Sequence, residues 1–218
     1  MSDFAVIFDM DGVIVHTNPH HEIAITQFCA DHGIQLNELT FQHKIYGRTN
    51  RDWITNVFGD LTEEQVHAYA SEKEALFRKI YEPDIKPVTG LVQFLDLLVT
   101  NNIPRAIATS APPENVDFVL DKTGLRKYFE TILDERMVLH GKPNPEIYLK
   151  TAKALGFPNN QCIVIEDSLS GVTAGRKSGS KVIGITTTHT REELTETNFV
   201  IQDFNDLSIQ TLQQVLKQ

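Results

Sequence analysis

Two aspartates two positions apart, Asp9 and Asp11, follow the apolar run Phe4-Ala5-Val6-Ile7-Phe8 and precede Gly12. In extended backbone, side chains two apart point the same way, so both carboxylates can face one small volume past a strand end. Such a pair resists joint ionisation unless a cation lies between them or one carboxyl keeps a proton. That cost marks a candidate site for chemistry; the plain alternative is an Asp-Gly turn. A second acidic pair, Glu166-Asp167, follows Cys162-Ile163-Val164-Ile165 and precedes Ser168. Opposite the first pair, it would complete an oxygen-rich site for a hard cation such as Mg²⁺; alone it reads equally as a helix cap. Thr109-Ser110 follows the run Arg105–Ala108, with Pro112 and Pro113 at a helix start. Hydroxyls and free N–H groups there form an anion seat or an ordinary cap. In Gly141-Lys142-Pro143-Asn144-Pro145-Glu146, Lys142 is a cation in a stiff turn, either solvated or placed to offset phosphate and carboxylate charge.

Those residues need elements that bring them to one place. Residues 4–8, 105–109, 131–133, 162–165, 182–185 and 199–201 read as strands. Between and after the later strands, helical patterns fall at Leu91–Val99, Pro113–Lys122, Asn144–Leu155, Gly171–Ser178 and from Asp206. This βα alternation predicts an α/β fold, a Rossmann-like parallel sheet sandwiched by helices. Open parallel sheets bind ligands beyond the carboxyl ends of their strands, which is where the four motifs fall. From His16 to Pro87 only helices are expected. Pro19 suits a first helical position, and Gly33 a stop. Further helices are expected at 37–46, after Thr49 or Asn50 as far as Gly59, and from the capping-box pattern Thr62-Glu63-Glu64-Gln65 to about Tyr81. An all-helical insert at 16–87 therefore interrupts a discontinuous α/β domain of residues 1–15 and 88–218.

Composition bounds the partners. The 218 residues are 41% hydrophobic and 22% charged, which suits a folded globular chain. Twenty lysines plus arginines stand against 29 aspartates plus glutamates, a formal charge of −9. That balance argues against nucleic acid or an anionic membrane as the main partner. No apolar run approaches the roughly 20 residues that cross a bilayer. Met1-Ser2-Asp3 lacks the basic segment of a signal peptide. Cys29 and Cys162 show no metal spacing. A reducing cytoplasm is the expected compartment, with a monomer or weak homodimer as the expected assembly.

The order Asp-x-Asp-Gly, a hydroxyl residue after a strand, Gly-Lys-Pro, and Glu-Asp-Ser-x-x-Gly resembles the haloacid dehalogenase-like hydrolase superfamily. The likeness covers nearly the whole chain, including a helical cap after the first motif. It is most similar to the β-phosphoglucomutase-like branch of sugar-phosphate phosphatases and mutases. The resemblance implies Asp9 as the nucleophile that forms an aspartyl-phosphate and Asp11 as general acid/base. It implies Thr109, supported by Ser110, as the phosphoryl holder and Lys142 as the neutralising cation. Asp167 with Glu166 would bind Mg²⁺ beside Asp9 and the backbone carbonyl of Asp11. The implied activity is a Mg²⁺-dependent phosphatase acting on a small phosphorylated metabolite, with a β-phosphoglucomutase as the alternative and a non-catalytic binding domain behind both. The superfamily's dehalogenases lack an aspartate at the position of Asp11 and need no metal, so Asp11, Glu166 and Asp167 favour phosphate.

Within the insert, Tyr46-Gly47-Arg48-Thr49-Asn50-Arg51 is similar to the cap substrate loop of that branch. Arg51 or Arg48 would clamp a second anionic group, beside Gly47. His21 and Lys73 match a histidine and a cap lysine of the branch, though both also read as surface residues. His16 stands where the family carries an aspartate. With His20 and His21 it makes three histidines that Mg²⁺ chemistry does not use.

Overall fold

The computed structural model describes residues 2–45 and 48–218. Its strands are β1 (Ala5–Phe8), β2 (Arg105–Ala108), β3 (Thr131–Leu133), β4 (Cys162–Glu166), β5 (Lys181–Ile185) and β6 (Phe199–Ile201). All pair in parallel in one sheet of order β3-β2-β1-β4-β5-β6. This is the α/β fold expected from the alternation of elements. Every residue of β1 is buried, as a central parallel strand requires. Side-chain alternation then splits the core between two faces. Ile7 packs in a cluster with Ala108, Val164, Tyr148 and Val172. Phe8, its neighbour, meets Phe94, Phe129 and Phe204 with ring centroids 5.7–6.2 Å apart.

The chain divides into two compact units, one running up to His16 and resuming at Ile85–Gln218, the other Thr17–Asp84. The second is helical: α1 (Asn18–Asp31), α2 (Glu38–Thr40), α3 (Asn50–Phe58) and α4 (Glu63–Tyr81). Thr49 and Thr62 cap α3 and α4, the latter with the full capping box to Gln65. Phe28, Trp53, Phe58 and Tyr69 form its aromatic centre. Where one helix is expected over 37–46, the described residues form the single turn α2 and then a π-turn, Phe41–Ile45.

In the first unit the helices are α5 (Leu91–Thr100), α6 (Pro113–Thr123), α7 (Glu146–Leu155), α8 (Leu169–Lys177) and α9 (Ile209–Leu216). Helix α7 starts two residues later than its pattern suggests, because the Asn144 side chain accepts the Glu146 N–H at 3.0 Å and holds a turn there. Helix α8 starts two residues earlier, because Ser168 accepts the Gly171 N–H. The expected start of α9 at 206 is a 3₁₀ turn, and Ser208 caps the helix itself. Among the described residues no helix is long and apolar enough to cross a membrane.

The helical unit buries charge. Lys73, read as a surface residue or substrate contact from sequence, is 3% exposed and pairs with Glu74. Glu74 also accepts from Asn50 Nδ2 at 2.7 Å, and Asn50 in turn accepts from Trp53 Nε1 at 3.0 Å. Burial alone would raise the Glu74 carboxyl, but the Lys73 charge and these hydrogen bonds outweigh it and hold it at about 2. His21 stacks on Phe77 at 3.7 Å and is pushed down to about 3, by burial first and then by Lys73. Below pH 6.5 the unfolded chain therefore binds a proton at His21 that the folded chain refuses, and below 4.5 the same holds at Glu74. Stability rises with pH through both windows. The melting temperature is expected to fall on acidification from pH 6.5 toward 5, and His21→Phe to make that fall shallower; thermal scans with equal slopes for both proteins would contradict it.

Candidate active site

In strand order β3-β2-β1-β4-β5-β6 the chain leaves β1 in one direction for β2 and β3, then crosses back to β4. The carboxyl ends of β1 and β4 therefore flank the switch point where such sheets open a crevice. The register pairs Phe8 with Ile165, so the next residues, Asp9 and Glu166, come level across the two strands. The Asp9 N–H donates to the Ile165 carbonyl at 3.1 Å. One carboxylate oxygen each from Asp9, Glu166 and Asp167 lies within 4.8 Å of the others, and all three residues are buried. Thr109 lies buried at the end of β2, where its hydroxyl accepts the Ala111 N–H at 3.1 Å. Ser110, beside it, is exposed. Asp11 is half-buried in the turn that bridges to Val15.

Lys142 enters from the loop before α7. Its Nζ donates to Asp9 Oδ1 at 2.8 Å and Glu166 Oε1 at 2.6 Å, with the Ala108 carbonyl at 3.4 Å. The Tyr148 hydroxyl donates to the same Glu166 oxygen at 2.6 Å, and the lysine lies 5.1 Å from the centre of its ring. The other Glu166 oxygen accepts from Asp167 N, Ser168 N and Ser168 Oγ at 3.0–3.1 Å. Five donors thus fill both oxygens of Glu166.

The charges do not balance. Lys142 offsets Glu166, whose carboxyl lies below its usual range: burial would raise it, but the lysine charge and the hydrogen bonds prevail. Lys142 itself rises well above its usual value, since the two carboxylates outweigh its burial. Asp9 is pushed up to about 7, by burial first, with Glu166 and Asp11 adding and Lys142 opposing. Asp167 rises well above the carboxylate range through burial, then through Glu166 and Asp9. One ammonium group therefore faces three buried carboxylates, and the acidic groups offer only oxygen as ligand atoms. That set fits a hard divalent cation.

Two glycines let the acidic groups come this close. Gly12 has φ +76°, and a Cβ on it would lie 1.9 Å from Asp167 Oδ2. A Cβ on Gly171, in the first turn of α8, would lie 1.7 Å from Glu166 Oε1. Three further residues complete the site without having been legible as members. Tyr148 falls within the helix expected over Asn144–Leu155, with nothing in its position to mark it as a donor to Glu166. Thr187 and Thr188 donate to the Gly12 carbonyl and to Asp167 Oδ2. Their signal is a threonine run, Thr186-Thr187-Thr188, at the carboxyl end of β5.

The remaining sequence candidates lie in the helical unit. Arg51 forms an exposed ion pair with Glu63. Arg48 is exposed, and its guanidinium donates to the His43 carbonyl at 3.1 Å. His21 and Lys73 belong to the cluster around Glu74 described above. Gly47 lies outside the described residues, and His16 is exposed.

Glycine to alanine within a helix ordinarily stabilises by about 0.5–1 kcal/mol. At Gly171 the sign is expected to reverse, because the new methyl meets a carboxylate that five donors hold in place. Gly171→Ala should destabilise by about 1–3 kcal/mol, read from denaturant unfolding; a variant as stable as the wild type would show that Glu166 is free to move.

Comparison with known proteins agrees with this geometry. The haloacid dehalogenase-like hydrolase family matches residues 5–179. Glycerol-1-phosphate phosphohydrolase 2 of Saccharomyces cerevisiae is 33% identical over 88% of this chain and 78% of its own length. A HAD hydrolase, family IA, variant 3, from Entamoeba histolytica HM-1:IMSS superposes with TM-score 0.92 at 33% identity, over 99% of this chain and 100% of that one. A β-phosphoglucomutase from Clostridium difficile superposes with TM-score 0.84 at 26% identity, over 98% of this chain and 96% of that one. A chloroplastic phosphatase of Arabidopsis thaliana that also matches is longer, and the chain spans 55% of its length. The match runs from β1 through α8 and takes in all four motifs, so the chain belongs to the haloacid dehalogenase-like hydrolase family.

Proposed function

We propose that this chain is a Mg²⁺-dependent phosphatase. Its substrate is a small phosphorylated metabolite, a sugar or polyol phosphate, and the reaction passes through an aspartyl-phosphate on Asp9. The observation that carries this reading is the convergence of Asp9, Glu166, Asp167 and Lys142 at the switch point of the sheet. The yeast relative, named for glycerol 1-phosphate, supports the substrate class. Asp9 and Asp167 are assigned to hold the ion by their carboxylates, with the backbone carbonyl of Asp11. Glu166, its own oxygens filled, fixes Lys142 and the Asp167–Ser168 turn behind them. When bound, the ion offsets the repulsion between a carboxylate nucleophile and an anionic phosphoryl group.

The residues then divide the work. An Asp9 oxygen attacks phosphorus in line with the ester oxygen, and Asp11 gives that oxygen a proton as its bond to phosphorus breaks. In the second step Asp11 takes a proton from the attacking water, and the bond between phosphorus and Asp9 breaks. A positioned acid/base of this kind contributes about 10²–10⁴-fold. Thr109, with Ser110, holds the transferring group, and Lys142 keeps charge from accumulating on it. Substrate selection falls to the helical unit, at His21, Gly47, Arg48, Arg51 and Lys73. A cytoplasmic monomer or weak homodimer completes the reading.

The likeness to a β-phosphoglucomutase supports a second reading, in which a sugar hydroxyl replaces water in the second step. Incubation with β-glucose 1-phosphate separates the two: hydrolysis yields free phosphate, whereas a mutase yields the isomeric hexose phosphate with little phosphate released.

Asp9→Asn is expected to abolish phosphate release, and Asp11→Ala to lower it by several orders of magnitude with the fold retained. Chelation of Mg²⁺ should stop the wild type and readdition restore it. Near-normal turnover in either purified variant would refute the assignment. Arg51→Ala is expected to raise KM for a sugar phosphate more than for an aryl phosphate; equal effects would remove Arg51 from substrate binding.

A further inference from the structure

We propose that the loop after β5 is a hydroxyl clasp that sets the divalent-ion affinity of the acidic site, Thr188 acting on Asp167 and Thr187 on Gly12. The inference rests on the metal reading above. Thr188 Oγ1 donates to Asp167 Oδ2, and Thr187 Oγ1 donates to the Gly12 carbonyl. The two targets touch each other, because Asp167 Oδ2 lies against the bare Cα of Gly12. Adjacent residues of one loop thus hold both walls of the site: the turn that carries the Asp11 carbonyl and the carboxylate opposite it.

The loop is anchored at both ends. Before the pair, the Thr186 N–H donates to the Ile201 carbonyl at 3.0 Å, extending the pairing of β5 with β6. After it, Glu193 Oε2 accepts the Thr190 N–H at 2.8 Å, the Thr190 hydroxyl accepts the Glu193 N–H at 3.3 Å, and His189 Nδ1 lies 3.5 Å from Glu193 Oε2. A hydroxyl on such a frame spends little conformational entropy in orienting a ligand. By holding Oδ2 it fixes the Asp167 carboxylate, as outer groups orient and tune ligating carboxylates. A valine has the shape of threonine and lacks the hydroxyl, so it isolates this contribution.

The test is Mg²⁺ titration calorimetry on the full chain, paired with the Mg²⁺ dependence of phosphate release. Thr188→Val is expected to raise the Mg²⁺ Kd by roughly 10–100-fold, and the half-saturating Mg²⁺ for phosphate release by the same factor. Thr188→Ser, which keeps the hydroxyl, should stay near the wild-type Kd. Thr187→Val should weaken binding independently, so the clasp stays testable should one variant fold poorly. Wild-type Kd values in both valine variants would overturn the proposal, as would equal losses in Thr188→Val and Thr188→Ser, since the loss would then not follow the hydroxyl. A wild-type chain that binds no Mg²⁺ would instead sink the metal reading, and the clasp with it.

Discussion

The site is organised around one buried ammonium group. Lys142 Nζ binds Asp9 Oδ1 and Glu166 Oε1 together, tying the ends of two neighbouring strands. A lone buried carboxylate is costly, and breaking a buried pair typically costs about 3–5 kcal/mol because the remaining charge is uncompensated. One lysine cannot neutralise three carboxylates. The shortage falls on Asp9 and Asp167, whose carboxyls are pushed upward. This imbalance suits the pocket to a divalent cation.

Glu166 shows how a buried charge is made tolerable. Lysine, phenol, hydroxyl and two backbone N–H groups converge on it, so its carboxylate is anchored from both sides. Asp167 is the opposite case. It follows Glu166 directly, and its carboxylate accepts from the hydroxyl of Thr188. Adjacent acidic residues thus sit in different surroundings: one is fixed from both sides by five donors, the other is held by a side-chain hydroxyl. Hydrogen-bond satisfaction, and not residue type, makes that distinction.

Close approach imposes a second constraint. The acidic groups converge only where the backbone carries no Cβ, at Gly12 under Asp167 and at Gly171 under Glu166. Gly12 also takes a positive φ, which turns the chain back after Asp11. Both glycines therefore serve the site through space as well as through conformation.

Most of the scaffold was legible in the residues themselves. Continuous apolar runs mark strands buried on both faces, and their alternation with amphipathic helices determines a parallel sheet with its ligand end. Because Asp9, Thr109 and Glu166-Asp167 each follow such a run, local pattern alone placed them at strand ends. The capping box at Thr62 was equally local. What pattern could not supply was pairing at long sequence separation. Lys142 meets Asp9 across 133 residues, and Thr187 meets Gly12 across 175. Nor did type reveal that Tyr148 is a donor to Glu166 or that Lys73 is buried beside Glu74. Strand endings and turns follow from short-range sterics and periodicity, which a sequence states directly; which charge neutralises which depends on distances that exist only after the sheet has ordered its strands.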